Sequence, residues 1–275
     1  MTLTLYHNPD CGTSRNTLAL LRAAGHEPDV IEYLKEPPAP AEIRTLAEQA
    51  GLTLRQLLRR RGTPYDALGL DAPTFTDDAL AQIAHDTPIL INRPIVVSNG
   101  RAALCRPSDL VFDVVAAPPT RLLKEDGAPV LRGIRLSEPS LQRLASALTA
   151  DHLPVDDLAE PGRTFFKYLT LDGETVGYGG FEIYGKAALL RSLVTLPSRR
   201  RSGIGRNMAL ILMRRAFDAG ASDLYLLTTT AQAFFGKLGF ATIDRDTVPA
   251  ALRATRQFAS LCPASASCLH RRSDP

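Results

Sequence analysis

Tyr6-His7-Asn8-Pro9-Asp10-Cys11-Gly12-Thr13-Ser14-Arg15-Asn16 is the stretch on which the reading of this chain turns. Ahead of it, Thr2-Leu3-Thr4-Leu5 alternates polar and apolar residues, the period of a half-buried strand. Behind it, Leu18, Leu21 and Ala24 recur at helical spacing and Gly25 supplies a stop. Cys11 therefore falls in a strand-to-helix loop, just ahead of a helix N-terminus. Unpaired backbone N–H groups and the positive end of the helix dipole gather there. Such a place lowers a thiol pKa and holds an anion. His7, four residues upstream, is expected to lower the pKa further. The Gly12-Thr13-Ser14 run reads as an open cradle and not as a core filler.

Working outward, Asp29 to Leu34 reads as a second strand, and residues 41–61 as a helical region broken at Gly51. Arg59-Arg60-Arg61 closes that region. Thr76 caps a helix through residue 85. Ile89-Leu90-Ile91 and Ile95-Val96-Val97 look like strands, with Arg93-Pro94 between them a candidate cis peptide. Arg101 to Arg106 returns as a strand, and Pro107 to Val115 reads as a closing helix. A β-α-β start, a helical insert and a hairpin-plus-helix finish suit a thioredoxin-like sheet. Ala116-Ala117-Pro118-Pro119 suggests a linker, with 121–127 as the remains of a terminal helix. A second pattern starts at Val130. A strand to Arg135, a helix from Leu141 to Leu148 and three strands (Phe165–Leu171, Thr175–Phe181, Ala188–Thr195) precede a glycine turn at 203–205. A helix from Met208 to Ala216, a strand at 224–227 and a short helix at 231–238 follow. The chain thus reads as two α/β domains: 1–118, a linker at 119–129, and 130–275.

The totals narrow the class. In 275 residues, 45% are hydrophobic and 22% charged, as in soluble globular proteins. Residues 1–118 carry 11 Lys and Arg against 14 Asp and Glu; the remainder carries 21 against 15. Neither half is basic enough to imply nucleic acid. No cationic leader and no apolar run of membrane-spanning length is read, so a cytoplasmic location without a membrane partner is expected. Four cysteines, Cys11, Cys105, Cys262 and Cys268, are too few for a disulfide scaffold of this length. No metal site is read.

The first domain resembles the ArsC-type, glutaredoxin-coupled arsenate reductases. The likeness rests on Asn8-Pro9-Asp10-Cys11-Gly12-Thr13-Ser14, Leu57-Leu58-Arg59, Ile91-Asn92-Arg93-Pro94 and Leu104-Cys105-Arg106-Pro107. It implies that Arg59, Arg93 and Arg106 hold the arsenate oxyanion beside Gly12 and Thr13, and that Cys11 is the nucleophile, with His7 and Ser14 supporting it. Guanidinium forks suit such oxygens. The resemblance further implies glutathione as co-substrate and glutaredoxin as partner. Ser14 stands where a Cys-x-x-Cys partner would, which fits an external resolving thiol. A related class of thioredoxin-like regulators that bind RNA polymerase shares the fold, and a non-enzymatic redox regulator is the alternative it offers.

In the second domain, Leu190-Arg191-Ser192-Leu193-Val194-Thr195 leads into Arg199-Arg200-Arg201-Ser202-Gly203-Ile204-Gly205-Arg206. Strand, basic glycine loop, helix, strand and Ala233-Phe234-Phe235-Gly236-Lys237-Leu238-Gly239-Phe240 follow in the order of the GNAT N-acetyltransferases, which this domain resembles. The resemblance implies acetyl-CoA as co-substrate, held by Leu193, Val194, Thr195, Arg200, Arg201, Ser202, Gly203, Ile204, Gly205, Arg206 and Phe235, and acetyl transfer to a small amine. Phe235 replaces the tyrosine that serves many members as general acid, and phenylalanine donates no proton. Glu182 is the candidate base, against the alternative of a solvated strand-end carboxylate. Cys262 and Cys268 raise a further idea, capture of arsenite by two soft thiolates. A non-catalytic acetyl-CoA or arsenite sensor is the alternative for this domain.

Overall fold

In the computed structural model, which describes residues 3–200 and 202–273, the chain divides into two compact units, the first ending at Val130 and the second running from Leu131 to Ser273. Together they form a two-domain α/β protein, with a thioredoxin-like first unit. Among the described residues no helix is long and apolar enough to cross a membrane.

The first unit is built on a four-stranded sheet of order β2-β1-β3-β4, with β1 Leu3–His7, β2 Asp29–Glu32, β3 Ile95–Ser98 and β4 Arg101–Leu104. β1 pairs parallel with β2, the two joined by helix α1 (Gly12–Ala23), and antiparallel with β3. This βαβ unit delivers Cys11 to the C-terminal end of β1, at the N-cap of α1. The insert holds α2 (Pro40–Gln49), the single turn α3 (Leu54–Leu57) and α4 (Asp77–Asp86). Thr53 closes a capping box with Gln56, and Thr76 accepts from the Ala79 N–H.

Three local expectations fail here. Residues 88–90 form a 3-10 turn, in which the Ile91 N–H bonds to the Pro88 carbonyl, and Ile91 meets Leu58 only as an isolated bridge. A buried apolar triplet looks the same in sequence whether strand or turn. The closing helix is 3-10 over Ser108–Asp113. Residues 121–127 form no helix: the chain reverses there, with the Lys124 N–H on the Ala128 carbonyl and a Leu123–Pro129 bridge. Lys124 pairs with buried Asp109 at 2.9 Å, and the Glu125 N–H reaches Asn16 Oδ1 at 2.8 Å. The stretch expected as a linker thus lies against the first unit. Arg93-Pro94 is cis, and so is Arg106-Pro107.

The second unit carries a seven-stranded sheet of order β10-β11-β9-β8-β7-β6-β5. Its strands are β5 Leu131–Arg135, β6 Arg163–Thr170, β7 Thr175–Tyr184, β8 Ala187–Thr195, β9 Asp223–Thr228, β10 Ala241–Ile243 and β11 Ser267–Arg272. All neighbours are antiparallel except β8 and β9, whose pairing covers only Ala187–Leu189 against Asp223–Tyr225. Beyond Leu189 those two strands part. Helix α5 (Leu141–Ala150) buries Leu144 and Leu148 in a cluster with Phe165, Tyr178 and Val194. Helix α6 (Ile204–Asp218) follows β8, α7 (Gln232–Lys237) follows β9, and the short α8 is Ala250–Arg253.

Candidate active sites

The first site begins with the backbone. The Cys11 N–H bonds to the Asn8 carbonyl and the Arg15 N–H to the Cys11 carbonyl, each at 3.0 Å, so the loop is wound directly into α1. Ser14 is fully buried and its hydroxyl accepts from the Asn8 N–H at 3.2 Å. Arg106 Nη1 donates toward Cys11 Sγ at 3.8 Å and to the Arg93 carbonyl at 3.3 Å. Burial opposes ionisation of Cys11, but the Ser14 N–H, the Arg106 guanidinium and the Thr13 N–H outweigh it, and the thiol lies below its ordinary value. A Cβ at Gly12, the first residue of α1, would stand 3.6 Å from Arg15 Nη2 and 3.9 Å from Glu125 Oε2.

His7 behaves differently from expectation. It sits at the end of β1, 6% exposed, and its Nδ1 has no hydrogen-bond partner. Burial is the main cause that lowers its pKa below 6.5; Glu32 opposes, and Arg15 and Arg22 reinforce. A neutral imidazole at pH 7 brings no positive charge to the thiolate, so that role falls to Arg106.

The three arginines come from three separate segments. The Arg59 N–H bonds to the Leu90 carbonyl at 2.7 Å, which pins it beside the Arg93 loop. Burial, then the charges of Arg106 and Arg93, lowers its guanidinium pKa, with the Cys11 thiolate opposing. Arg93 is 9% exposed; its Nη1 reaches the Ile89 carbonyl at 3.3 Å, while its buried Nε has no partner. Its neighbours in the run share no such role. Arg60 pairs with Asp66 and Asp71 and lies over the Tyr65 ring, and Arg61 is exposed. Three cations held around one thiolate make a cradle for a tetrahedral anion. Tyr33 lies within the same electrostatic neighbourhood and is fully buried. Sequence reading missed it, because a tyrosine at a strand end looks like ordinary core.

The second site lies where β8 leaves β9. Between β7 and β8 the register slips, Tyr178 pairing with Val194 but Gly180 with Arg191, and Ser192 of β8 sits in the left-handed region at φ +54°. This bulge re-aims Leu193 and Val194. Gly203 caps α6 at φ +76°, a conformation that favours glycine, and α6 has no side-chain cap and no acid in its first turn. A Cβ at Gly205 would lie 3.0 Å from Thr195 Oγ1 and close to the Phe234 ring. Backbone N–H groups of residues 204–206 are thereby presented without obstruction, as a diphosphate requires. Ser202 Oγ is turned to the Arg199 carbonyl, and Arg200 reaches the Thr195 carbonyl and Asp151. Arg201 lies outside the described residues. Arg206 is exposed on α6. The cleft between the parted strands is walled by Leu153, Pro154, Leu190, Leu227, Gln257 and Cys262.

Three expectations need correction. Glu182 is neither a free base nor a solvated carboxylate. It is 2% exposed, accepts from Arg191 Nη1 and the Tyr184 hydroxyl at 2.5 Å each, and lies 3.5 Å from Arg163. Asp157 completes this buried network through Arg191 and Arg163. Phe235 points into an aromatic cluster with Phe234 and Phe240, and it is Phe234 that lies over Gly205. Cys268 is buried in an apolar cluster with Val248, Leu252 and Phe258, whereas Cys262 lies on the cleft wall and donates to Gln257 Oε1 at 3.2 Å. The two thiols occupy different surroundings, and burial raises both pKa values.

A thioredoxin-like unit with a cationic thiol cradle, and a unit with a bulged strand splayed over an uncapped helix, define an oxyanion-handling thiol protein joined to an acyl-CoA fold. Residues 6–113 match the ArsC family, and residues 134–240 match the acetyltransferase (GNAT) family. The arsenate reductase of Rhizobium meliloti strain 1021 is 52% identical over 134 residues, which are 48% of this chain and 94% of that protein. That of Escherichia coli strain K12 is 47% identical over 130 residues, 47% of this chain and 92% of that protein. A solved arsenate reductase from Vibrio cholerae is 41% identical, with a TM-score of 0.41, covering 42% of this chain and 98% of its own. The chain belongs to the ArsC family through its first unit, and its second unit is a GNAT acetyltransferase domain.

Proposed function

We propose that the first unit reduces arsenate to arsenite in the cytoplasm with glutathione and glutaredoxin, and that the second transfers acetyl from acetyl-CoA to a small amine. The observation that carries the first part is Cys11 at the N-cap of α1 with Arg106 3.8 Å from its sulfur. Arg59, Arg93 and Arg106 bind the oxyanion, and its oxygen would satisfy the buried Arg93 Nε. The Cys11 thiolate attacks arsenic, and one oxygen leaves as water. A glutathione thiolate then attacks the Cys11 sulfur. The sulfur–arsenic bond breaks, its electron pair stays on arsenic, and arsenite departs as the trivalent product. Glutaredoxin takes the glutathione from Cys11 by thiol–disulfide exchange. The test is arsenate-dependent NADPH oxidation coupled through glutathione reductase. Turnover in wild type and none in Cys11→Ser is expected.

In the second unit, the 204–206 amides hold a diphosphate, and Val194 beside the bulge offers backbone groups to the pantetheine arm. The cofactor supplies a thioester; the chain orients it and shields it from water. An amine entering the β8–β9 cleft would attack the carbonyl, the carbon–sulfur bond would break, and the amine's proton would pass to the departing thiolate. Phe235 has no hydroxyl and Glu182 is fully engaged, so a second reading stands beside this one: a module that binds acetyl-CoA without turnover. Acetylation of any member of an amine panel, followed by mass, decides for transfer; binding without product decides for the module.

A further inference from the structure

A thiol co-substrate has to bring its sulfur to Cys11, which is half-buried. Charged groups that stand beside that thiol and open to solvent therefore meet the rest of the incoming molecule. Arg15 and Glu125 are such groups. Arg15 follows Cys11 by four residues and Gly12 by three, so the three share one face at the start of α1. Arg15 Nη2 and Glu125 Oε2 both lie within 4 Å of the place a Gly12 Cβ would take, over the residue next to the thiol. Arg15 Nε donates to Glu125 Oε1 at 3.1 Å, its Nη2 to Oε2 at 3.3 Å, and its Nη1 to the Pro9 carbonyl at 2.8 Å. The two side chains still keep 47% and 46% of their surface exposed. The surrounding turn fixes the pair. The Glu125 N–H donates to Asn16 Oδ1 at 2.8 Å, and Lys124 Nζ pairs with the fully buried Asp109 carboxylate at 2.9 Å. The Gly127 N–H on the Lys124 carbonyl and the Lys124 N–H on the Ala128 carbonyl close the turn, each at 2.9 Å. A pair already held in place loses little further freedom when it binds a ligand.

We infer that Arg15 and Glu125 form the subsite for the γ-glutamyl end of glutathione: Glu125 accepts from its ammonium, Arg15 donates to its carboxylate, and the tripeptide lies across Gly12 with its sulfur at Cys11. Opposite charges side by side match a zwitterion, and the γ-glutamyl end carries both charges on one carbon. The contacts above use three of the five guanidinium N–H groups, and each carboxylate oxygen keeps a further lone pair. The inference rests on the reading that Cys11 takes glutathione. It gives the two substrates separate anchors: Arg59, Arg93 and Arg106 for the oxyanion, Arg15 and Glu125 for the thiol. Burial opposes Cys11 ionisation, and the Ser14 N–H, Arg106 and the Thr13 N–H outweigh it. Loss of the pair should therefore spare the reactivity of Cys11 toward an uncharged reagent.

The test uses the reduced full chain without arsenate. It is mixed with glutathione disulfide or with uncharged hydroxyethyl disulfide, and the mixed disulfide on the Cys11 peptide is followed by mass. In both reactions the Cys11 thiolate attacks one sulfur, the sulfur–sulfur bond breaks, and the other half leaves as a thiolate. Arg15→Gln and Glu125→Gln should each slow the reaction with glutathione disulfide about three- to fivefold, as expected for a half-exposed charged contact. Their rates with hydroxyethyl disulfide should match wild type. An undiminished rate with glutathione disulfide in either variant overturns the proposal, and so does equal slowing with both reagents. No adduct on wild-type Cys11 from either reagent overturns the reading of Cys11 as the thiol that takes glutathione, and the proposal with it. Because arsenate is absent, failure of the oxyanion reading leaves these rates untouched.

Discussion

Cys11 is made acidic by its neighbours' N–H groups and by one guanidinium, and these contributions are separable by substitution. Arg106→Gln removes the cation 3.8 Å from sulfur and should move the pH midpoint of Cys11 alkylation up by about one unit. His7 has the opposite character, a base kept neutral by burial. Its folded pKa lies below 6.5. As pH falls through 6.5 the unfolded chain therefore takes up a proton that the folded chain refuses, and stability falls with it. Between pH 6.5 and the folded value the slope is at most about 1.4 kcal/mol per pH unit. Urea midpoints at pH 7.5 and 5.0 should differ less in His7→Gln than in wild type. Cys11, Arg93 and Arg106 stand out in sequence because each carries a residue type that its local pattern does not need, whereas Arg59, in a run of three arginines, is selected only by the family resemblance. The protonation state of His7 was not legible, because it depends on how much of β1 the rest of the unit covers.

At the scale of elements, the acyl-CoA loop depends on the close approach of α6 to β8. Gly205→Leu places a branched side chain against Thr195 Oγ1, where even a Cβ stands at 3.0 Å. Acetyl-CoA affinity should fall at least tenfold by calorimetry, with little change in melting temperature. The charged layer between β6, β7 and β8 makes a second prediction. Burial works against the Asp157 carboxylate, yet Arg191 and Arg163 hold its pKa down. Arg191→Met leaves Asp157 and Glu182 with Arg163 alone between them and should cost about 3–5 kcal/mol of unfolding free energy in urea. The alternating strands β6 to β8 and the glycine turn before α6 could be read directly. The final strand could not. β11 inserts between β9 and β10, a pairing fixed by partners far away in sequence, and Ser267-Cys268-Leu269-His270-Arg271-Arg272 has little alternation of its own. The 3-10 turns at 88–90 and 108–113 were hidden for a related reason, since short buried segments follow the packing around them.

For the whole molecule, each unit has its own sheet and its own core, and a ligand of one should stabilise that one by mass action. Acetyl-CoA should slow amide exchange in α6, β8 and β9 and leave β1 and α1 unchanged. Two family patterns in one chain are legible because each spans its own run of residues. The division near residue 130 was less so, since residues 119–129 read as a linker, whereas Lys124 and Glu125 within them hold Asp109 and Asn16 of the first unit. The central claim is that Cys11, in its arginine cradle, is the sulfur that takes arsenic and then glutathione. The direct measurement is peptide mass analysis of the full chain incubated with arsenate and glutathione, without glutaredoxin. An arsenate-dependent glutathione adduct on the Cys11 peptide, lost when Arg59, Arg93 and Arg106 are all replaced by Gln, is the predicted result. No adduct on Cys11, or an arsenate-dependent adduct only on Cys262, would contradict it.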